Sequence, residues 1–227
     1  MEKKILANPQ ELISEAISDF GALLLELRQE KEQLTVLLTG GTLGIEFVAA
    51  LGKSHLDLTG ITFIFGDERF VPLNDADRNE HQALATFPEL EGQLIRYPDA
   101  TGDLSSAQSQ FSSQLEELLG PVESPIRSID LTILGMGPDG HIASLFPGRQ
   151  HEATWIVKES DSPKPPSQRL SFSYEGLNAS ERIWLLVSGA SKADALRKVA
   201  KGELPAARVS GLSQTRWYLD KEISDAL

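Results

Sequence analysis

With 227 residues, 41% of them hydrophobic, the chain is long enough to bury a substantial core, which excludes intrinsic disorder and collagen-like repeats. Its 21 basic and 33 acidic residues leave a formal net charge of −12, which argues against a general nucleic-acid binder and suits a small-molecule partner. Without cysteine there are no disulfides, thiolate metal sites or cysteine nucleophile. No apolar run approaches the ~18–20 residues of a membrane span. The opening Met-Glu-Lys-Lys-Ile-Leu reaches Pro9 before any long apolar stretch, so no signal peptide is predicted and the cytoplasm is the expected location.

The first predicted element is a helix. Asn8 suits an N-cap, Pro9 the first helical position and Glu11 the acidic place of a capping box. Leu12, Ile13, Ala16, Ile17, Phe20, Leu23, Leu24 and Leu27 then recur at helical spacing. Residues 34–39 are apolar on both faces and run into Gly40-Gly41, the pattern of a strand buried in a parallel sheet. A helix over about 43–51 follows. Residues 61–65 predict a strand, 67–79 a polar loop, 80–86 a helix and 94–97 a short strand. Residues 104–119 read as a helix with Phe111, Leu115, Leu118 and Leu119 on its apolar face. Residues 129–134 form another buried strand ending in glycine; 154–157, 170–172 and 183–187 are further strands, 191–200 a helix and 216–219 a last strand. This alternation predicts an α/β fold: one domain over 1–227, with a mostly parallel, Rossmann-like sheet flanked by helices. The only linker-like stretch, 160–167, has three prolines and is too short to separate domains.

In such sheets ligands lie outside the carboxyl ends of the strands, so the loops after strands carry the chemistry. Thr39-Gly40-Gly41-Thr42-Leu43-Gly44 joins a strand to a helix. Its glycines let backbone N–H groups approach an anion at a helix N-terminus, although a tight turn capped by Thr42 accounts for the same residues. It lacks the Gly-Lys-Ser/Thr of a nucleoside-triphosphate loop. Gly66-Asp67-Glu68-Arg69 offers two carboxylates and a guanidinium to a polar substrate, or forms a surface turn with a local ion pair. Asp75, Asp77, Arg78 and Asn79 extend that loop.

Gly135-Met136-Gly137-Pro138-Asp139-Gly140-His141 spells G-x-G-x-x-G, with Glu159 about 20 residues on as a dinucleotide fingerprint asks. Three features reject that reading. Pro147-Gly148 leaves barely two helical turns, the unit lies past the midpoint of the chain, and His141 stands where the pyrophosphate-binding helix would open. A histidine there is suited to exchanging a proton near neutral pH. His55, His81 and His151 show no metal-binding spacing, and there is no Gly-x-Ser-x-Gly elbow. Ser144 shares a face with His141 on a short helical turn, or serves capping or packing. Lys192, at the helix start after Ser188-Gly189, reaches a phosphate or is an ordinary solvated lysine. Lys164, Arg169 and Arg149 are further basic candidates.

The stretch from Asp130 through Gly135-Met136-Gly137-Pro138-Asp139-Gly140-His141-Ile142-Ala143-Ser144-Leu145-Phe146-Pro147-Gly148 closely resembles the signature of 6-phosphogluconolactonases. The family's glycine loop, its Asp-Glu-Arg segment with a closing asparagine, and its late Gly-Ala-x-Lys-Ala and Trp-x-Leu-Asp segments are matched in order. The matching residues are Thr39 to Thr42, Asp67 to Arg69 with Asn79, Gly189 to Ala193, and Trp217 to Asp220. Two departures stand out. The glycine loop usually reads Ser-Gly-Gly-Ser-Thr-Pro, so Gly44 replaces a proline. Arg78 replaces the serine before the loop asparagine and adds a cation expected to touch the substrate. Glucosamine-6-phosphate deaminases are related in fold, but their segment after Asp-Gly-His-Ile-Ala differs from the Ser144-Leu145-Phe146-Pro147 found here.

The resemblance implies hydrolysis of 6-phospho-D-glucono-1,5-lactone to 6-phosphogluconate in the oxidative pentose phosphate pathway, with no metal and no organic cofactor. His141 is then the general base for water, oriented by Asp139 or Asp67, with backbone N–H groups of the Gly137 to Gly140 run facing the oxyanion. Gly40, Gly41, Thr42, Arg69, Arg169 and Lys192 bind phosphate and hydroxyls, and Glu68 and Asn79 join the substrate-binding set. A sugar-phosphate lactone is the implied partner, with no nucleic acid and no membrane. The alternatives are an amino-sugar-phosphate deaminase/isomerase and a non-catalytic sugar-phosphate sensor.

Overall fold

The computed structural model describes residues 2–226. In chain order the elements are β1 (Glu2–Leu6), α1 (Pro9–Leu27), β2 (Leu34–Leu38), α2 (Gly41–Gly52), β3 (Ile61–Phe65), β4 (Asp67–Arg69), α3 (Asn79–Thr86), α4 (Leu104–Leu119) and β5 (Ile129–Gly135). They continue with β6 (Ile156–Glu159), β7 (Arg169–Phe172), α5 (Tyr174–Asn178), β8 (Ser180–Val187), α6 (Ala193–Val199), β9 (Gln214–Asp220) and α7 (Lys221–Asp225). Six strands form one parallel sheet in the order β1-β9-β8-β5-β2-β3.

Local sequence sets the main elements. At the start of α1, Asn8 Oδ1 accepts the Glu11 N–H at 2.9 Å, and Glu11 Oε2 in turn accepts the Ala7 N–H. The helix buries Leu12, Ile13, Ala16, Phe20, Leu23, Leu24 and Leu27, and Phe20 meets Phe47 of α2 edge to face. Every residue of β2 is buried, as is all of β5 but its final glycine; two-sided burial favours continuous apolar runs at the centre of a parallel sheet. From β2 the chain moves outward to β3 on one side, and from β5 to β8 and β9 on the other. The neighbours β2 and β5, paired Val36 to Leu131, therefore flank the point where the connections diverge.

Several expectations are corrected. The strands after residue 150 do not extend one sheet: β6 and β7 join β4 in a separate three-stranded antiparallel sheet, ordered β4-β7-β6. β4 lies in what the sequence presents as a polar loop, because its three residues, Asp-Glu-Arg, carry no apolar alternation. Residues 94–97 are not a strand. A 3-10 turn over Pro88–Gln93 precedes them, and only one bridge, Phe63 to Leu94, forms. The helix expected over 191–200 opens as a 3-10 turn, Ala190–Lys192, before α6. No helix follows His141, where the chain turns instead, and Gly40 rather than Thr42 holds the N-cap position of α2. β1 escaped prediction because it is a polar edge strand; it is held by parallel pairing to β9 and by Lys4 between Glu15 and Asp19. Among the described residues no helix is long and apolar enough to cross a membrane.

Candidate active site

A cavity of ≈ 530 Å³ opens at the carboxyl ends of the central strands, over the divergence of β2 and β5. Its walls come from the β2–α2 loop, the turn after β5, the start of β4, the first residue of α3, and the segments around Lys164 and Lys192. Thr39 Oγ1 accepts the Gly135 N–H at 3.2 Å and ties the two central loops together.

His141 is 15% exposed at its side chain and lines the cavity. Its Nδ1 lies 2.5 Å from Asp139 Oδ1, and its ring rests against Phe146 with centroids 4.8 Å apart. Nε2 is therefore the ring nitrogen left for a ligand. Burial pushes the Asp139 carboxyl up, but the hydrogen bond and charge of His141 outweigh it and hold the carboxyl below the ordinary carboxylate range. Gly137 is required at this contact: a Cβ there would stand 2.1 Å from two His141 ring atoms. Asp67 does not orient His141. Its Oδ2 accepts the Ser144 hydroxyl at 2.6 Å and lies 4.0 Å from Arg169 Nη1. Ser144 N in turn donates to Ser171 Oγ, so Ser144 links the His141 turn to β4 and β7.

The glycines of this turn do not offer their amides to a ligand. Gly137 N donates to His141 O at 2.9 Å and Gly140 N to Gly137 O at 3.0 Å, closing the turn on itself. Gly140 does not line the cavity; its φ of 80° and the Leu204 side chain against its Cα explain the glycine. The free amides lie instead at the start of α2, which has no side-chain cap. Gly41 there has a φ of 74°, and Asn79 Oδ1 packs 2.0 Å from where a Cβ of Gly40 would stand. Thr42 lines the same wall.

Of the Asp67-Glu68-Arg69 segment, Asp67 and Arg69 reach the cavity and Glu68 does not. Glu68 is 1% exposed and points into the protein, which corrects its placement among substrate-binding residues. Arg78 is corrected in the same way. It is fully buried, with Nε 2.9 Å from Glu80 Oε2, and it donates to the carbonyls of Val71 and Tyr97. Neither burial is visible in sequence, since a run of charges ordinarily marks a solvated turn.

Four cationic side chains, Arg69, Lys164, Arg169 and Lys192, line the cavity. Arg69 Nη1 donates to Asp77 O at 2.5 Å, while its Nε is buried without a protein partner. Arg169 is held by the carbonyls of Pro166 and Lys164. Burial lowers both Lys192 and Arg169; for Lys192 the Asp220 carboxylate opposes that fall and Lys164 adds to it. Asp220 accepts from Ser188 Oγ and Gly189 N and so shapes the turn before Lys192. No local sequence pattern marks Asp220 for that role or places Gln10 of α1 at the cavity.

Residues 7–217 match the family model described as glucosamine-6-phosphate isomerases/6-phosphogluconolactonase. A 6-phosphogluconolactonase of Mycobacterium leprae is 33% identical over 208 residues, covering 85% of this chain and 84% of its own. A 6-phosphogluconolactonase structure from Trypanosoma brucei superposes with a TM-score of 0.89 at 23% identity, covering 100% of this chain and 98% of that one. A monomeric glucosamine-6-phosphate deaminase superposes with a TM-score of 0.79 at 21% identity, covering 100% of both chains; at these identities the two structures share the fold.

Proposed function

Because this chain belongs to the family of glucosamine-6-phosphate isomerases and 6-phosphogluconolactonases, we propose that it hydrolyses 6-phospho-D-glucono-1,5-lactone to 6-phospho-D-gluconate, the lactone step of the oxidative pentose phosphate pathway. One observation carries the reading: an Asp139–His141 pair opens onto a cavity lined by four cationic side chains. The pair supplies a base, and the cations suit a phosphate dianion.

A δ-lactone is an ester, and water attacks its carbonyl carbon directly. His141 Nε2 takes the proton of the attacking water while Asp139 stabilises the imidazolium that forms. The tetrahedral intermediate collapses, the bond from the carbonyl carbon to the ring oxygen breaks, and His141 returns its proton to that oxygen as the hydroxyl of the product. With the Gly137 and Gly140 amides engaged in their own turn, the oxyanion is stabilised by the cationic wall and the open amides of α2. Gly40, Gly41, Thr42, Arg69, Arg169 and Lys192 hold phosphate and hydroxyls, with Asn79 bracing the loop at Gly40. No step calls on a metal. The whole of 1–227 acts as one catalytic domain, since α1, the central loops and the Lys192 turn all reach one cavity. The net charge of −12 opposes a phosphate dianion, but screening beyond about 8 Å leaves the local cations in control.

The test is a coupled assay with freshly generated lactone, corrected for spontaneous hydrolysis, run beside an ammonia assay with glucosamine 6-phosphate. Lactone turnover without ammonia release is expected. Ammonia release would move the protein to the deaminase branch, and binding of 6-phosphogluconate without turnover of either substrate would make it a sensor.

A further inference from the structure

Glu68 sits beneath the cavity wall and makes three equal contacts. Its Oε1 accepts the N–H groups of Arg69 and Asn79 at 2.8 Å each, and its Oε2 accepts that of Glu80 at 2.8 Å. α3 has no side-chain cap of its own, since Arg78 holds the N-cap position and turns its guanidinium inward. A carboxyl group from a different element thus satisfies the first two amides of this helix, which would otherwise be buried without partners. Asn79 passes the constraint on: its Nδ2 donates to Asp67 O at 3.0 Å, and its amide packs against Gly40. Arg78, which departs from the serine of the family pattern, is the buried cation of this cluster. Its Nε lies 2.9 Å from Glu80 and 3.9 Å from Glu68, and its other nitrogens donate to the carbonyls of Val71, Tyr97 and Pro98.

We propose that Glu68 is a positioning residue for the substrate-binding wall: it fixes the backbones of Arg69 and Asn79 together, and through Asn79 the places of Asp67 and Gly40, without touching substrate. The inference rests on the proposed role of Arg69 as a cation that binds the phosphosugar.

The experiment is a double-mutant cycle read in the Kd for 6-phosphogluconate, using wild type, Glu68→Ala, Arg69→Ala and the double variant. Since a misplacement of about 1 Å can cost about 10²-fold, Glu68→Ala is expected to weaken binding about 10–100-fold in the wild-type background. In the Arg69→Ala background it is expected to weaken binding several-fold less than in wild type, because one of the groups it positions is gone while Asn79, and through it Asp67 and Gly40, remain. Glu68→Gln keeps an oxygen for Arg69 and Asn79 but turns an NH2 toward the Glu80 N–H, so it should recover part of the affinity. With lactone as substrate, Glu68→Ala should raise KM more than it lowers kcat. Equal losses in both backgrounds, or a lowered melting temperature with unchanged affinity, would overturn the role. If Glu68→Ala does not fold, Glu68→Asp enters the same cycle under the same criteria, because its shorter carboxylate reaches fewer of the three amides. Failure of the wild type to turn over lactone would overturn the proposed reaction and leave the cycle readable. Failure of the wild type to bind 6-phosphogluconate would overturn the positioning role.

Discussion

His141 and Asp139 share a turn that places an imidazole and a carboxylate 2.5 Å apart at the mouth of a cavity. If His141 is the base, His141→Ala should cut kcat by about 10²–10⁴-fold, because general-base catalysis typically contributes that much. The melting temperature should fall only modestly, since the ring gives up one hydrogen bond, to Asp139, and its packing on Phe146, while Nε2 makes no hydrogen bond to the protein among the described residues; near wild-type turnover would sink the assignment. Asp139→Asn removes one charge-assisted hydrogen bond, worth about 1.5–3 kcal/mol, and should lower kcat about 10–150-fold with little change in KM. A KM effect without a kcat effect would show that Asp139 serves binding. Much of this residue-scale chemistry was legible: the spacing of Asp139 and His141 around glycine already presents a histidine in a tight turn after a buried strand. The glycine roles were only half legible. Gly137 is present because His141 lies over its Cα, and Gly140 because of Leu204, a residue more than 60 positions away that no local pattern announces.

At the scale of elements, the β2–α2 junction shows how one departure from the family pattern is built in. Gly44 is the fourth residue of α2, and a Cβ there would stand 2.0 Å from Thr39 O. Proline, the residue of the resembling family, would collide with that carbonyl. Gly44→Pro is therefore expected to lower stability by about 3 kcal/mol and to reduce lactone turnover, as chemical denaturation and the coupled assay would read. A variant as stable as wild type would show that the loop relaxes freely. The phosphate reading makes a second prediction for the two elements bearing cations. Arg69→Ala and Lys192→Ala should each weaken binding of 6-phosphogluconate about tenfold or more, because each removes a charge-assisted contact worth about 1.5–3 kcal/mol. Binding of unphosphorylated gluconate should change far less, and equal losses on both ligands would make these residues structural. Elements with strong periodicity, such as α1 and α4, were predicted to within a residue. The missed ones, β1, β4, α5 and α7, are three to five residues long and take their definition from partners distant in sequence.

At the scale of the whole molecule, the parallel sheet was legible because two-sided burial writes continuous apolar runs into β2 and β5. The second sheet was not, because antiparallel pairing of β4 with β7 joins segments about 100 residues apart. That pairing is also what carries Glu68 into the interior, opposite Arg78, Glu80 and the half-buried Arg96. Burial first, and then the Glu80 carboxylate, outweigh the backbone amides and Arg78 and push Glu68 up to about 8 from an ordinary 4.5. In the window between those values the folded protein holds a proton that the unfolded chain has released. Stability from this group is therefore complete below 4.5 and is lost as pH rises through about 8. Asp19 and Asp139, held below the ordinary range, act in the opposite sense in a lower window: their contribution is present above the unfolded value and disappears on acidification. The two sets of carboxylates do not overlap in pH, so they can be separated. The urea midpoint of the wild type should fall between pH 5 and pH 8.5, and Glu68→Gln, which cannot titrate, should flatten that fall while leaving the loss below pH 4 in place. A wild-type midpoint level across the upper window, or a Glu68→Gln midpoint that falls as steeply as the wild type's, would mean that the buried cluster keeps Glu68 charged throughout.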